Sequence, residues 1–178
     1  IVQILGIDIG GTGIKGAPVD LDTGELLAER FRVDTPRPAT PENISKKIIE
    51  IVEHFQWKGV VGCGFPTPFY QGRCKVGSNL HDDWIGVHVE QLFSEATGLP
   101  FKVINDADAA GMAEMAYGAG KDKPGLVAVI TLGTGIGSGL FLDGKLIPNT
   151  EFGHLRYKNK HFEKYAADSV RVAEELSY

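Results

Sequence analysis

A glycine-rich turn between two apolar strands occurs twice in this sequence, and this repeat constrains the fold more than any other feature. In the first copy, LGIDIGGTGIKG, the turn joins a strand at Val2–Asp8 to a strand at Ile14–Asp20. In the second copy, TLGTGIGSGLF, the turn joins strands at Leu126–Leu132 and Leu140–Leu142. The repeat predicts two related halves that face each other across a cleft, with a boundary near residues 99–106.

Strands and helices alternate through the rest of the chain, which predicts an α/β protein. Thr40 and Pro41 are typical of a helix start, and apolar residues follow them at helical spacing. The pair Asp143-Gly144 predicts a hairpin turn. The other predicted strands are Leu26–Val33, Val60–Phe65, Phe101–Ile104 and Lys145–Ile147, and the other predicted helices are Val89–Ala96, Ala107–Tyr117 and His161–Leu176.

Composition excludes several classes of protein. Of the 178 residues, 43% are hydrophobic and 23% are charged, as in ordinary globular proteins. No apolar run reaches the roughly 20 residues of a membrane helix, so we expect no membrane association and a cytoplasmic location. The net charge of −5 disfavours nucleic-acid binding. Cys63 and Cys74 lack CxxC spacing, so we expect idle thiols rather than a zinc site or a disulfide.

Five basic residues lie within nine positions near the end of the sequence. A solvated face is the usual reason for such a run, and a binding site for a polyanion is the alternative. The five residues are Arg156, Lys158, Lys160, His161 and Lys164.

The first glycine-rich turn has the parts of a phosphate-binding loop. Asp8 ends a strand, and Gly10, Gly11 and Thr12 follow it with backbone amides that can donate to phosphate oxygens. The Asp8 carboxylate is suited to hold Mg²⁺, directly or through water. Lys15 could add a positive charge near the bound phosphate. The alternative is that Lys15 is a solvated lysine on a strand. The alternative is a plain glycine-rich hairpin, since the spacing of a Walker A loop or a dinucleotide fingerprint is not met.

The second glycine-rich turn offers the same chemistry from the other half. Gly133, Thr134 and Gly135 open it, and Gly137 and Gly139 follow. Two such loops facing each other would hold a phosphate chain from both sides.

Asn105 and Asp106 lie where a predicted strand meets a predicted helix. Asp106 is suited to accept the proton of an attacking hydroxyl, with Asn105 binding a neighbouring hydroxyl. The alternative is that Asp106 only caps the helix, and both roles are compatible.

The segment EFGH pairs an acceptor, Glu151, with a donor, His154. The pair is suited to sugar hydroxyls, and the alternative is two surface polar residues after a turn. A zinc site is disfavoured here, because the sequence shows no further ligands nearby.

Together, the segments GIDIGGTGIKGAPVD, SNLHDDWIG, NDADAAGMAEM, TLGTGIGSGLF and NTEFGHL resemble the sugar kinases of the ROK family. The resemblance covers nearly the whole chain in the family's order. Within the family, the chain is most similar to the subgroup that phosphorylates glucose with polyphosphate. Many ROK kinases carry a cysteine-rich zinc motif after the GH pair, and its absence here agrees with that subgroup.

The resemblance implies an actin-like (ribonuclease H-like) α/β fold with a cleft between two domains. Residues 1–104 would form the phosphate-loop domain, and residues 105–178 would begin a larger domain whose C-terminal part is missing. It implies a homodimer that transfers a phosphoryl group from polyphosphate or ATP to the 6-hydroxyl of glucose, with Mg²⁺. The implied roles are Asp106 as catalytic base, Asp8 as metal ligand, Asn79, Asn105, Glu151, His154 and Glu163 as glucose ligands, and Gly10, Gly11, Thr12, Lys15, Gly133, Thr134 and Gly135 around phosphate.

Two alternatives to an active kinase remain at this stage. The ROK family also contains sugar-responsive regulators, which carry an added N-terminal helix-turn-helix that this sequence does not show. Family members continue well beyond the equivalent of Tyr178, so an inactive fragment of the kinase is the other alternative.

Overall fold

A computed structural model describes residues 2–76 and 80–177, which form two compact units, Ile1–Asp106 and Ala107–Tyr178. Among these residues, none of the helices has both the length and the apolar character needed to cross a bilayer.

The first unit is built on a five-stranded sheet with the order β3-β2-β1-β4-β7. Strand β1 pairs antiparallel with β2 and parallel with β4, which in turn pairs parallel with β7. The strands are β1 (Gln3–Ile9), β2 (Gly13–Asp20), β3 (Phe31–Asp34), β4 (Val61–Phe65), the short pair β5 (Phe69–Tyr70) and β6 (Arg73–Cys74), and β7 (Phe101–Asn105). The helices are α1 (Pro41–His54) and α2 (Val89–Thr97), and Asp82–Trp84 form a 3₁₀ turn.

Helix α1 shows why these residues adopt these elements. The Thr40 side chain accepts a hydrogen bond from the Asn43 amide at 3.3 Å, and Pro41 occupies the first helical turn. Ile44, Ile48 and other apolar residues of one face are buried in the core cluster with β1, β4 and β7. The predicted helix start is therefore confirmed, and its apolar face anchors the sheet.

The second unit begins with helix α3 (Asp106–Tyr117), whose first residue closes the first unit, and continues into a three-stranded antiparallel sheet with the order β10-β9-β8. Its other elements are β8 (Leu126–Leu132), β9 (Ile136–Leu142), β10 (Lys145–Ile147), a 3₁₀ turn at Phe152–His154, the hairpin β11 (Arg156–Tyr157) and β12 (Lys160–His161), and helices α4 (Glu163–Ala166) and α5 (Asp168–Ala173). Strand, glycine turn, strand and hairpin thus recur in both units, as the repeat predicted.

Two predicted elements were wrong. The predicted strand Leu26–Val33 is reduced to Phe31–Asp34, because the chain bends after Leu26, which makes only an isolated bridge to Val19. The predicted helix His161–Leu176 is broken into β12, α4 and α5. The break lies at the buried Ala167, where an extended backbone (φ −68°, ψ 155°) interrupts the helical turn.

The second glycine turn is also shorter than predicted, because β9 begins at Ile136. Gly137 lies within the strand opposite Thr131, and a Cβ atom at this position would overlap the Thr131 hydroxyl and come 2.8 Å from the Ala107 Cβ. A Cβ atom at Gly139 would lie 3.4 Å from the Ala107 carbonyl oxygen. These two glycines therefore allow α3 to approach the sheet and are not part of the loop.

Candidate active site

The carboxyl ends of three parallel strands bring the predicted catalytic residues of the first unit to one edge of its sheet. Asp8 of β1 pairs with Gly64 of β4, and Phe65 of β4 pairs with Asn105 of β7. The loop after β1 and the Asn105-Asp106 step after β7 therefore share this edge. In open parallel sheets this edge is the usual place for ligands.

The loop Gly10–Thr12 is held by side chains from the segment that follows β2. The Gly10 amide donates to the Gly13 carbonyl at 3.0 Å, which closes a tight turn. Thr35 donates its hydroxyl to the Gly10 carbonyl at 2.6 Å, and Arg37 donates to the Gly11 carbonyl at 2.8 Å. Arg32 donates to the Thr12 carbonyl at 3.2 Å.

Sequence reasoning missed Thr35, Arg32 and Arg37. They lie 20 or more positions from the loop, and only the β2–β3 pairing, in which Asp34 lies opposite Gly13, brings them to it. A Cβ atom at Gly13 would lie 2.7 Å from the Arg32 Nε, so the Arg32 guanidinium occupies space that any other side chain at this position would fill. Two cations thus lie beside a loop suited to anions.

Asp8 and Lys15 are directly opposite each other on β1 and β2, and both are exposed. An opposite-charge pair at this spacing stabilises antiparallel strands and leaves both groups accessible to a ligand. The exposed carboxylate of Asp8 is an oxygen donor of the kind that Mg²⁺ prefers.

Cys63 and Cys74 are free and buried, as expected for idle thiols. Burial, with a smaller contribution from the Asp8 charge, raises the pKa of the Cys63 thiol far above its ordinary value. Burial also raises the pKa of Cys74, to about 12. Neither thiol is therefore available as a thiolate at neutral pH.

Asn105 is buried at the end of β7, and Asp106 is half-buried as the first residue of α3. A carboxylate in the first turn of a helix is stabilised by the positive end of the helix dipole. This position is compatible both with a helix-capping role and with that of a base at the sheet edge. Asn79, the other predicted polar ligand of this unit, lies outside the described residues.

In the second unit, Glu151, His154 and Glu163 come together. His154 Nδ1 lies 3.5 Å from Glu151 Oε2, and His154 Nε2 lies 3.9 Å from Glu163 Oε1. Glu163 is the least exposed of the three side chains, at 15%. Their grouping combines two acceptors with an imidazole, which suits a polyhydroxylated ligand.

Buried polar contacts fix the backbone around this group. Ser138 accepts a hydrogen bond from the Phe152 amide at 3.0 Å and donates its hydroxyl to the Thr150 carbonyl. A Cβ atom at Gly153 would overlap the Ile136 carbonyl oxygen, so the 3₁₀ turn requires glycine at this point. These contacts set the position of His154 against the start of β9.

The loop Gly133–Gly135 contacts the same group through Glu163. The Gly133 amide donates to the Gly135 carbonyl at 3.0 Å, and Ser169 donates its amide to the Gly133 carbonyl at 3.1 Å and its hydroxyl to the Thr134 carbonyl at 2.8 Å. Glu163 Oε2 accepts a hydrogen bond from the Ile136 amide at 3.4 Å and lies so close to Gly135 that a Cβ there would overlap it. One carboxylate therefore adjoins both the loop and the His154 group.

Asp108 is a second buried anchor that sequence reasoning missed. Its side chain is 1% exposed, and its Oδ2 accepts a hydrogen bond from the Asn149 amide at 2.9 Å. Asn149 has a φ of 58° and begins the segment that leads to Glu151. Burial raises the pKa of Asp108, and the hydrogen bond from Asn149 opposes this effect.

Comparison with known proteins identifies the class. The model of the ROK family matches residues 4–166, and the chain belongs to this family. The polyphosphate glucokinase of Mycobacterium tuberculosis is 47% identical over 174 residues, which cover 97% of this chain and 66% of that protein. The chain thus spans slightly less than two thirds of this relative's length.

Two solved structures resemble the chain closely. The inorganic polyphosphate/ATP-glucomannokinase from Arthrobacter sp. strain KM is 44% identical with a TM-score of 0.93, over 99% of this chain and 73% of that one. A ROK family glucokinase from Streptomyces griseus, in complex with glucose and AMPPNP, is 32% identical with a TM-score of 0.84, over 97% and 59% of the two chains. The predicted α/β fold of ROK sugar kinases is confirmed.

Proposed function

We propose that this protein transfers a terminal phosphoryl group from polyphosphate or ATP to the 6-hydroxyl of glucose. The names of its relatives support this reaction, since one is a polyphosphate glucokinase and another a polyphosphate/ATP-glucomannokinase. The Streptomyces griseus glucokinase was solved with glucose and AMPPNP, an ATP analogue.

The observation that carries the proposal is the shared sheet edge of Asp8, the Gly10–Thr12 loop and Asp106. Phosphoryl transfer requires little covalent chemistry from a protein, but it does require positioned groups around a phosphate and a base for the attacking hydroxyl. Asp106 would accept the proton of the 6-hydroxyl as that oxygen attacks phosphorus in line. Asn105, buried beside it, would bind a neighbouring hydroxyl.

The two glycine loops would bind the phosphate donor. Backbone amides of Gly10–Thr12 and Gly133–Gly135 would donate to its oxygens, with the Lys15 ammonium close to Asp8. The exposed Asp8 carboxylate fits Mg²⁺, which usually takes one or two protein carboxylates together with substrate phosphates. When bound, Mg²⁺ neutralises charge on the transferred group.

The sugar would be bound by Glu151, His154 and Glu163 in the second unit and by Asn105 and Asn79 in the first. Carboxylates accept hydrogen bonds from sugar hydroxyls, and the imidazole both donates and accepts.

The proposal also includes a cytoplasmic location, a homodimeric state and no nucleic-acid partner. Analytical ultracentrifugation of the purified chain tests the dimeric state.

A coupled assay with glucose tests this function, using polyphosphate and ATP in parallel at equal Mg²⁺. We expect Asp106→Asn to lower kcat by about 10²- to 10⁴-fold, the usual contribution of a general base. Glucose binding, measured by calorimetry, is expected to stay within a few-fold of the wild type, because the amide keeps the size of the side chain. Asp122→Asn, in an exposed turn, is the matched control and should be active. Near-normal turnover of Asp106→Asn would exclude Asp106 as the base, and no transfer by the wild type with either donor would overturn the proposal.

A further inference from the structure

The β11–β12 hairpin carries the basic run for which the sequence leaves two interpretations, a solvated face or a binding site for a polyanion. Its cationic side chains Arg156, Lys158 and Lys160 are exposed. In the part of the chain that the structure describes, none of the three forms an ion pair, whereas Lys46 and Lys102 each bind a carboxylate at 2.7 Å. The hairpin therefore presents three cations that no carboxylate neutralises by direct contact.

Lys158 occupies a position in the hairpin turn that lysine rarely takes. Its φ is 53°, in the left-handed region that favours glycine, asparagine and aspartate in such turns. Its Nζ lies 5.3 Å from the centroid of the Tyr157 ring and 6.0 Å from that of Tyr165, distances at which an aromatic ring attracts an ammonium group. Turn propensity does not explain a lysine here, and the two rings hold its charge at the tip of the hairpin.

The hairpin is fixed against helix α4 and its flanking residues. Tyr165 donates its hydroxyl to Asn159 Oδ1 at 2.7 Å, and the Phe162 amide donates to the Leu155 carbonyl at 2.8 Å. The Tyr157 ring packs edge to face with the rings of Tyr165 and Phe162, at centroid distances of 5.5 Å and 6.1 Å. A hairpin that is already held in this way loses less conformational entropy when it binds a ligand.

The chain leads directly from this hairpin to the second glycine loop. Glu163 follows Lys160 by three positions and adjoins Gly135, so the backbones of Lys160 and Glu163 are at most about 11 Å apart. Between them and the solvent, Lys164 Nζ lies 3.4 Å from Glu163 Oε1 and offsets the charge of that carboxylate. A phosphate chain bound at the loop therefore needs a short extension to reach the hairpin.

We propose that Arg156, Lys158 and Lys160 bind the distal part of a polyphosphate chain whose reacting end is held by the glycine loops. The inference rests on the proposed function, which supplies the phosphate chain, and adds a subsite that favours long chains over short ones. Polyphosphate repeats a negative charge along a flexible chain, and such a ligand suits flexible cations that project from a fixed hairpin.

A single-stranded nucleic acid is the competing polyanion, and the hairpin suits it less well. Proteins bind such strands by stacking bases on open aromatic faces. Here Lys158 lies over the Tyr157 ring, and the rings of Tyr165 and Phe162 pack against it. The net charge of −5 on the whole chain also opposes binding of a long, stiff polyanion away from the hairpin.

Titration of the purified chain with long-chain polyphosphate in a calorimeter, at two salt concentrations, tests the site. The variant Lys158→Asn/Lys160→Gln removes two charges and keeps polar side chains, with asparagine suited to the turn. We expect its affinity to fall at least about tenfold at low salt, and the slope of log affinity against log salt to decrease by about two, one for each lysine.

The matched control is Lys121→Gln/Lys123→Gln, which removes two exposed lysines at the same spacing elsewhere in the second unit. Its affinity for polyphosphate should stay close to that of the wild type. An equal loss in both double variants, or an unchanged affinity in the hairpin variant, would overturn the site. Binding of single-stranded DNA by the wild type as tightly as polyphosphate would overturn the choice of ligand.

The kinase assay gives a separate readout with long-chain polyphosphate and tripolyphosphate as donors. The ratio of KM for the long chain to KM for tripolyphosphate should rise at least about fivefold in the hairpin variant and stay constant in the control. An unchanged ratio would overturn the subsite and leave the proposed function standing. A wild type that binds polyphosphate through the hairpin but transfers no phosphate from any donor would refute the proposed function and leave the polyanion site standing.

Discussion

The two glycine loops arise from the same strand-turn-strand pattern, but the two units support them differently. The loop after β1 extends from a sheet whose strands pack in a continuous apolar core, formed entirely by residues of the first unit. The loop after β8 extends from a strand whose alternate side chains are exposed, and polar contacts from Ser169 and Glu163 hold it. Apolar packing therefore supports the strands that lead into the first loop, whereas hydrogen bonds at or near the surface hold the second loop.

The two loops also differ in their electrostatic environment. Arg32 and Arg37 donate to carbonyl oxygens of the first loop, whereas the second adjoins the carboxylate of Glu163. We expect the first loop to supply most of the attraction for a phosphate chain and the second mainly to orient it, because a nearby carboxylate opposes anion binding.

The largest effect is expected in the core of the first unit. Phe65 is completely buried, and its ring lies 4.7 Å from that of Trp84 and 6.4 Å from that of Phe93. Phe65→Ala should lower the free energy of unfolding by about 3–5 kcal/mol, because the packed rings of Trp84 and Phe93 cannot close the cavity that the lost ring leaves. Urea unfolding combined with hydrogen exchange of β4 and β9 amides measures the loss in each unit.

Phe141→Ala is the matched control in the second unit, since Phe141 is 1% exposed and packs on Gly111. Each variant should lower amide protection chiefly in its own unit. If Phe65→Ala lowers protection in β9 as much as in β4, the two loops are not supported independently and the comparison fails.

A smaller effect on stability is expected at Gly153, where the 3₁₀ turn packs directly against the backbone of Ile136. Gly153→Ala would force the 3₁₀ turn away from the Ile136 carbonyl and displace His154, at a cost of about 1–3 kcal/mol in stability. Gly133→Ala is the control, because no atom lies within 4 Å of a Cβ at that position. Thermal unfolding of both variants decides the matter: equal melting temperatures would mean that the turn relaxes freely and is not fixed by this contact.

Local sequence was sufficient to predict most of the longer strands, the positions of the glycine turns and most helices, because propensity and spacing act within a few residues. It was not sufficient for Gly137, which serves the packing of α3, since that role depends on a contact with Ala107, 30 positions earlier in the sequence. The helix predicted at His161–Leu176 was also wrong, because the backbone is extended at Ala167 and the nearby Ser169 amide donates to the distant Gly133 carbonyl at 3.1 Å.

The site residues divide in the same way. Asp8, Asp106 and Glu151 could be predicted as candidates because each lies in a short motif at a strand or turn. Arg37 and Asp108 were missed because their partners, Gly11 and Asn149, are 26 and 41 positions away. His161 was noted only as part of a basic run, and the β11–β12 pairing is what brings it to His154.

Asp108 provides a prediction of intermediate size. Asp108→Ala removes the acceptor of the Asn149 amide and should cost about 0.5–1.5 kcal/mol. Asp108→Asn keeps an acceptor and removes the need to bury a charge. Because burial raises the pKa of Asp108, the folded protein binds this proton more tightly than the unfolded chain, and wild-type stability falls as pH rises from the ordinary carboxyl range through the raised pKa.

Urea unfolding at several pH values measures this slope. The stability of Asp108→Asn relative to the wild type should increase with pH over that window and then level off. If the difference in stability between Asp108→Asn and the wild type does not change with pH, Asp108 does not titrate with a raised pKa, and its burial does not lower the stability of the second unit.

Arg37 is expected to have the smallest effect on stability. It also provides the sharpest test of the electrostatic difference between the two glycine loops. Its guanidinium is exposed and donates to the Gly11 carbonyl at 2.8 Å, so Arg37→Ala should change the free energy of unfolding by at most about 1 kcal/mol. If the first loop supplies the attraction for phosphate, the same change should raise KM for the phosphate donor, and more for polyphosphate than for ATP, because a longer phosphate chain presents more charge to the loop. Arg37→Lys should recover part of this loss, since it keeps the charge without the planar geometry.

Ser169→Ala is the neutral counterpart in the second unit, where the Ser169 hydroxyl donates to the Thr134 carbonyl. Steady-state kinetics with both donors at two salt concentrations compares them: only the Arg37 effect should weaken with salt, and an equal, salt-independent rise in KM for both variants would mean that the loops differ in support but not in charge.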